Sequence, residues 1–249
     1  MTKQQAVETA GSSDDERGRP VLVLGSQSPA RLSTLRAAGV DPVVRVSGLD
    51  EEAVVAALHE GGATPTAAEI VCAQAEAKAL EVAGRVLAEA DEVAEPRGTS
   101  LLLVVGCDSM LEINGRMVGK PGTPEIAKER IREMRGTDAT LWTGHSLVPL
   151  TRDATGVWTV GAPLTEAAQT VVHFGQISDA EIDAYVATGE PLQVAGSFTI
   201  DALGGPFVEG VTGDPHSVVG ISLPLLRALT DRAGVFWPDL WASPNSAAG

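Results

Sequence analysis

The chain has 249 residues, 44% of them hydrophobic, and a formal net charge of −15 at pH 7. This length supports one large domain or two lobes around a sizeable core, and no apolar run is long enough to span a membrane. The negative charge argues against a nucleic-acid partner, which needs a clustered basic surface, and suits a small polyanion held by a few local cations. Solubility alone would explain the same charge, since the carboxylates gather in short acidic runs.

The two ends of the chain are predicted to be extensions of one domain that spans residues 20–235. Residues 1–19 are polar and lack the apolar stretch of a secretory signal, so a disordered segment and a cytoplasmic location are expected. Residues 236–249 contain prolines and small residues and are expected to form a loose tail. Cys72 and Cys107 have no metal-ligand spacing, which favours two reduced thiols.

The first predicted strand, residues 21–24, leads into a helix start that suits an anion. Ser28 is a preferred N-cap and Pro29 a preferred first helical residue. Arg31 in the first turn opposes the helix dipole, whereas a bound phosphate would meet its guanidinium, free N–H groups and the hydroxyls of Ser26 and Ser28. On this segment alone, a phosphate site and an ordinary capped helix with a solvated arginine explain the residues equally well.

A long helix is predicted next, because Thr66 and Glu69 form a capping box before an apolar stripe of helical period. Lys78 lies on the flank of that stripe. Its aliphatic stem can cross the core and carry the ammonium into a cleft, although a lysine in such a position is usually solvated.

The buried-strand pattern over residues 101–105 leads directly to Asp108. A carboxylate at that depth is costly to bury unless it is paired or bound to a metal. Asp108 lies where the strand emerges, the edge at which open α/β sheets place their ligands.

The Asn114-Gly115 dipeptide predicts a two-residue hairpin with a single register. The pairs it predicts are Ile113–Arg116, Leu111–Val118 and Ser109–Lys120. Lys120 is thereby brought beside Asp108, provided that a bulge near Gly106 or Gly119 puts both on one face. An ammonium beside a carboxylate suits a metal and triphosphate site, and a structural ion pair at the hairpin mouth is the alternative.

The remaining predicted elements continue the alternation of strands and helices. They are a helix from Thr123-Pro124 to Gly136, a central strand from Leu141, a hairpin over 151–160, a strand over 170–174, a helix capped by Ser178 and a last helix over 223–233. Asp214 lies in a Gly-Asp-Pro turn, where an aspartate more often bonds its own backbone than takes part in catalysis. None of the four histidines has metal-ligand spacing.

These segments, with Asp50-Glu51 and the late Gly213-Asp214-Pro215 and Val218-Val219-Gly220, resemble the Maf family of nucleoside triphosphate pyrophosphatases. The resemblance covers nearly the whole chain, from Val21 to Gly234. It implies an α/β, Maf/ITPase-like two-lobed fold around a twisted mixed β-sheet with flanking helices and a central cleft.

The function implied by the resemblance is hydrolysis of a nucleoside triphosphate to the monophosphate and pyrophosphate, which clears non-canonical or modified nucleotides. A divalent metal (Mg, Mn or Co) is implied as cofactor, and a homodimer is suggested. Asp108 is then the expected proton acceptor, Glu51 and Asp108 the metal ligands, and Lys78 and Lys120 the cations near the leaving pyrophosphate. The expected substrate contacts are Ser26, Ser28, Arg31, Ser109 and Asp201.

Three positions depart from the family pattern. Ala30 stands where a second arginine is common, so one phosphate contact is missing. Asp201 stands where members that prefer pyrimidines carry glutamine, and Ser109 replaces a common threonine. These departures leave the preferred base open.

Two other functions are weighed against the pyrophosphatase. A nucleotide-binding regulator of cell division or septum formation with little turnover would suit the loss of an arginine at Ala30, but Asp108, Glu51 and both lysines are retained. A phosphomonoesterase with Asp108 as nucleophile is disfavoured, because such enzymes carry a second aspartate two residues later, where this chain has Met110.

Overall fold

A computed structural model describes residues 18–60, 62 and 64–242, in which one eight-stranded mixed sheet is flanked by helices. The strands are β1 (Val21–Leu24), β2 (Val43–Val44), β3 (Leu101–Ile113), β4 (Arg116–Val118), β5 (Asp138–Arg152), β6 (Trp158–Val160), β7 (Leu164–Phe174) and β8 (Val208–Thr212). The helices are α1 (Pro29–Ala37), α2 (Glu51–His59), α3 (Ala67–Ala88), α4 (Ala90–Ala94), α5 (Pro124–Met134), α6 (Asp179–Ala187), α7 (Pro215–Val219) and α8 (Leu223–Arg232). The expected α/β fold around a mixed sheet is confirmed.

The strand order is β2-β1-β3-β5-β7-β8, with β4 paired to β3 and β6 paired to β5. β1 runs parallel to β3, whereas β5 runs antiparallel to both β3 and β7. The strand predicted from Leu141 is therefore central, as expected. It begins earlier, at Asp138, because its first residues pair with the end of β7.

The predicted helix starts are confirmed by their caps. The hydroxyls of Ser28, Thr66, Thr123 and Ser178 each accept a hydrogen bond from a main-chain N–H in the first turn of their helix. Each cap satisfies one N–H that the helix itself leaves without a partner.

Helix α3 packs on one face of the sheet, and two glycines allow its close approach. A Cβ on Gly106 would lie 2.4 Å from the carbonyl oxygen of Ala75, and one on Gly144 would lie 2.1 Å from that of Val71. Any side chain at either position would push the helix away, since a main-chain carbonyl cannot yield as a flexible side chain can. The two glycines thus set the distance between α3 and the strands β3 and β5.

The opposite face of the sheet carries two separate hydrophobic cores. One includes Leu35, Leu103, Leu147 and Leu226 and lies against α1 and α8. The other lies against α5 and α6; its members include Leu111, Leu141, Ile131 and Ile182. Between the two cores, β5 carries the buried polar residues Thr143 and His145.

One edge of β3 is left open between its two neighbours on that side. β1 pairs with β3 as far as Val105, and β4 pairs with it only from Leu111. Within the described part of the chain, residues 106–110 have a strand partner only in β5. Asp108 and Ser109 lie in this opening, which is where the predicted cleft should be.

The predicted hairpin ladder is longer than the one in the structure. The hairpin pairs Ile113–Arg116 and Leu111–Val118 are present, but the ladder ends at Val118 and Ser109 faces Thr143 of β5 instead of Lys120. The carbonyl of Gly119, the first residue after β4, accepts from the guanidinium of Arg130 at 2.6 Å and not from β3.

The expected loose tail is packed in its first part. Leu240 is buried in the α1/α8 core, and the N–H of Ala242 donates to the carbonyl of Gly39 at 2.7 Å. Burial of the apolar side chain of Leu240 holds this segment against the domain. The rest of the predicted tail, 243–249, and residues 1–17 of the predicted extension lie outside the described residues.

No helix within the described ranges is both long and apolar enough to cross a membrane.

Candidate active site

Three charged side chains meet on the α3 face of the sheet, beside the open edge of β3. The ammonium of Lys78 donates to Oδ1 of Asp108 at 2.7 Å and lies 2.8 Å from Oε1 of Glu51. The side chains of Lys78 and Asp108 are each only 11% exposed, whereas that of Glu51 is 55% exposed. Lys78 therefore joins a buried carboxylate to one at the surface.

Local sequence explains how these side chains are placed. Asp50 caps α2 by accepting from the N–H groups of Glu52 and Ala53, which leaves Glu51 free to face α3. Lys78 lies one turn beyond Ala75, where α3 touches Gly106, and Asp108 is two residues beyond Gly106 on the same face of β3. The close approach of helix and strand thus sets the ion pair.

The electrostatic balance of this group is negative, with two carboxylates and one ammonium. Each of the two carboxylates is within hydrogen-bond reach of the same Nζ, so the two are close enough to share one further cation. Oδ2 of Asp108 has no hydrogen-bond partner within the described residues. We find no group of three or more His, Cys, Asp or Glu side chains that could hold a metal, counting described residues only.

Arg31 lies on the opposite side of β3 and is held by neutral acceptors. Its Nη1 donates to Oγ of Ser26 at 3.0 Å, its Nη2 to Oγ of Ser109 at 3.1 Å and its Nε to the carbonyl of Gly220 at 2.7 Å. No ion pair of the described chain includes Arg31, so its charge is uncompensated by a carboxylate. The Ser28 hydroxyl caps the helix on which Arg31 lies, at 3.4 Å from the Arg31 N–H.

Gly220 leaves room for the guanidinium of Arg31 beside its own carbonyl. It has φ of 116°, and a Cβ there would lie 3.0 Å from Nε of Arg31. Glycine meets both demands, because it adopts positive φ without strain and leaves room for the guanidinium.

A network of buried polar residues on β3 and β5 continues from Arg31. Ser109 and Thr143 are directly opposite in the β3–β5 ladder, and their hydroxyls are 3.0 Å apart. Thr143 also donates to the carbonyl of Ser217 at 2.9 Å. Next to it, His145 is fully buried and hydrogen-bonded to the main chain on both ring nitrogens. Burial, with a smaller effect of the nearby Arg31, lowers the pKa of His145 to about 4.

Thr143 and His145 are missed by the sequence analysis. The available signal is that they flank Gly144 on a strand face whose other buried residues, Ala139, Leu141 and Leu147, are apolar. Two polar residues and a glycine at the centre of such a strand indicate a close approach and a hydrogen-bond network, rather than core packing.

Of the other sequence-predicted site residues, Lys120 and Asp201 are exposed, and neither makes a hydrogen bond or ion pair to the described groups around them. Lys120 lies just beyond β4, and Asp201 lies in a turn that Glu190 holds by accepting from the hydroxyl of Thr199 at 2.5 Å. Asp214 caps α7 by accepting from the His216 N–H at 3.1 Å, as the turn pattern predicts. Burial raises the pKa of the Cys107 thiol to about 11, which keeps it protonated and a poor nucleophile at neutral pH.

Comparison with known proteins adds a family to this geometry. The sequence model of the family described as "Maf-like protein" matches residues 21–233. That range includes every residue of the two groups described above.

Curated relatives match over a similar length. A "Nucleoside triphosphate pyrophosphatase" of Rhodococcus opacus (strain B4) is 52% identical over 222 residues, which cover 89% of this chain and 96% of the relative. Proteins of the same name from Saccharopolyspora erythraea and Mycobacterium ulcerans (strain Agy99) are 50% and 49% identical, covering 90% and 89% of this chain and 98% and 97% of those proteins.

Proposed function

Because this chain belongs to the Maf-like protein family, we propose that it is a nucleoside triphosphate pyrophosphatase. It hydrolyses a nucleoside triphosphate between the α- and β-phosphates and releases the monophosphate and pyrophosphate. The observation that carries this proposal is the pair of groups on either side of β3, one with two carboxylates and one with an arginine that has no carboxylate partner among the described residues. The names of the relatives and the extent of their match support it.

Asp108 is proposed as the proton acceptor. Its Oδ1 accepts from Lys78, while Oδ2 has no hydrogen-bond donor within the described chain. A water positioned at Oδ2 can lose its proton as it attacks the α-phosphorus. Lys78 holds the carboxylate in place, and its ammonium is proposed to neutralise negative charge that develops on the phosphates.

A divalent metal such as Mg²⁺, Mn²⁺ or Co²⁺ is proposed to be held by Asp108 and Glu51. The donor set fits, because Mg²⁺ takes hard oxygen ligands and commonly uses one or two carboxylates together with substrate phosphates. When bound, the metal neutralises phosphate charge and polarises the phosphoryl oxygens. The surface position of Glu51 allows its carboxylate to exchange Lys78 for a new ligand with little rearrangement.

Arg31, Ser26 and Ser28 are proposed to bind the triphosphate. A guanidinium without a carboxylate partner, at the start of α1, presents N–H donors and positive charge to an anion. Lys120 is proposed to reach the leaving pyrophosphate from the end of β4. Ser109 and Asp201 are proposed to lie on the nucleoside side, with Ser109 also fixing Nη2 of Arg31.

The test is product analysis with a panel of nucleoside triphosphates that includes 5-methyl-UTP and 7-methyl-GTP, each with Mg²⁺, Mn²⁺ or Co²⁺. We expect one pyrophosphate per monophosphate and no orthophosphate. Asp108→Asn should lower the rate about 10³-fold, the range in which a general base contributes. Asp231→Asn, an exposed position in α8, is the matched control and should retain the wild-type rate.

Three outcomes would contradict the proposal. Orthophosphate as product would indicate a phosphomonoesterase. Triphosphate binding without turnover, in protein shown to be folded, would indicate the regulator. Full activity in Asp108→Asn would remove the proton acceptor.

A further inference from the structure

We propose that His145 is a positioning residue for triphosphate binding, which fixes the guanidinium of Arg31 through the main chain of residues 220–222. The inference rests on the proposed function, which makes Arg31 a phosphate contact. His145 itself is buried and reaches neither the open edge of β3 nor a substrate there.

The two hydrogen bonds of His145 permit only one protonation state. Nδ1 lies 3.0 Å from the carbonyl of Thr143, which can only accept, so Nδ1 carries the proton. Nε2 lies 2.8 Å from the main-chain nitrogen of Ser222, which can only donate, so Nε2 is the acceptor. The imidazole is neutral, and its ring is fixed at both ends.

The turn from Gly220 to Ser222 is held from two sides. On one side, His145 accepts from the Ser222 N–H; on the other, the Gly220 carbonyl accepts from Nε of Arg31 at 2.7 Å. Ile221 between them is fully buried and anchors the turn in the α1/α8 core. A shift of Ser222 is therefore transmitted to the carbonyl that orients the guanidinium.

A second path joins the same strand to Arg31. Thr143 Oγ1 gives its proton to the Ser217 carbonyl, so the hydroxyl of Ser109 must donate to Thr143 and accept from Nη2 of Arg31. Neighbouring residues of β5 thus fix both ends of the guanidinium, Nε through His145 and Nη2 through Thr143. Without His145, the Ser222 N–H would be buried without an acceptor, and the turn would have to move to satisfy it.

Two substitutions of similar size separate this role from simple packing. His145→Gln can place its amide oxygen near the position of Nε2 and keep an acceptor for the Ser222 N–H. His145→Asn places its amide near Nδ1, keeps the donor to Thr143 and loses that acceptor. Ser178→Ala, which removes the N-cap of α6 far from the site, is the control for general destabilisation.

The measurement is the dissociation constant of inorganic triphosphate by calorimetry, together with KM and kcat for the preferred nucleotide. We expect His145→Asn to raise both the dissociation constant and KM about tenfold, the effect of one misplaced charge-assisted contact, with kcat nearly unchanged. His145→Gln should restore most of the affinity. Ser178→Ala should lower the melting temperature without changing affinity.

A double-mutant cycle with Arg31→Ala tests the path. In the Arg31→Ala background, His145→Asn should have no further effect on triphosphate affinity. Equal losses for Asn and Gln, or a full additive loss in the double variant, would overturn the positioning role. If Arg31→Ala alone leaves affinity unchanged, the proposed phosphate contact fails and this inference falls with it; if only His145→Asn is without effect, the inference alone fails.

Discussion

The two groups on either side of β3, at its open edge, carry net charges of opposite sign. On the α3 side, Lys78 is bonded to two carboxylates and the group carries an excess negative charge. On the other side, the partners of Arg31 among the described residues are two hydroxyls and a carbonyl, so no carboxylate there balances its positive charge. The proposed substrate, a metal-bound triphosphate, carries both charges that these sides lack, so we expect it to lie across the edge of β3 and to contact both groups.

The comparison predicts different stability costs for removing the two cations. Lys78→Met leaves a buried carboxylate without its partner and should lower the free energy of unfolding by about 4 kcal/mol. Arg31→Met leaves only neutral groups and should cost about 1 kcal/mol. Denaturant unfolding of both variants provides the measurement; equal losses would contradict the difference between the two sides.

Acid should weaken the Arg31 side through His145. Its pKa is about 4 when folded, against 6.5 for an unperturbed histidine, so the unfolded chain binds the proton first. Stability should be unaffected above pH 6.5 and should fall by about 3 kcal/mol as the pH drops from 6.5 to 4. The same titration with His145→Asn isolates this contribution from that of the acidic residues, and identical pH profiles would refute it.

The α3 side should be sensitive to helix approach. In Gly106→Ala, the new Cβ would meet the Ala75 carbonyl, displace α3 and cost about 2 kcal/mol of stability. Since Lys78 moves with the helix, kcat should fall while triphosphate affinity on the Arg31 side stays unchanged. The control is Gly84→Ala in α3 itself, where the new Cβ would have open space and should not displace the helix. Denaturant unfolding measures the loss of stability in both variants, steady-state kinetics measures kcat, and calorimetry measures the triphosphate affinity.

Lys120 belongs to neither group and should matter least. Its exposed ammonium can contribute only a screened attraction to the leaving pyrophosphate, so Lys120→Ala should raise KM about threefold. Steady-state kinetics at low and high salt provide the measurement. A loss as large as that of Arg31→Ala would place Lys120 in the binding group after all.

Local signals explain which parts of the fold the sequence predicts. The caps at Ser28, Thr66 and Ser178 and the register of the Asn114-Gly115 hairpin depend on residues a few positions apart, and all are confirmed. The hairpin prediction fails at Lys120, since the ladder ends at Val118 and the next carbonyl, that of Gly119, accepts from the side chain of Arg130 in α5, a contact that the hairpin residues do not encode.

The site itself depends on contacts between distant segments. Lys78 and Asp108 are 30 residues apart, and nothing in the pattern around Lys78 distinguishes it from a solvated lysine. Only the family resemblance identifies Lys78 as a site residue. His145 has no such support, because its partners are main-chain groups, which any residue type at position 222 other than proline would supply.

The most direct test of the account is triphosphate binding by Asp108→Asn and Arg31→Ala, measured by calorimetry with inorganic triphosphate and without divalent metal. Asp108→Asn removes negative charge from the side that is proposed to carry out hydrolysis, so its affinity should equal or exceed that of the wild type. Arg31→Ala should bind at least about tenfold more weakly, the loss of a charge-assisted contact. Loss of binding in Asp108→Asn with full binding in Arg31→Ala would contradict the division of roles across β3.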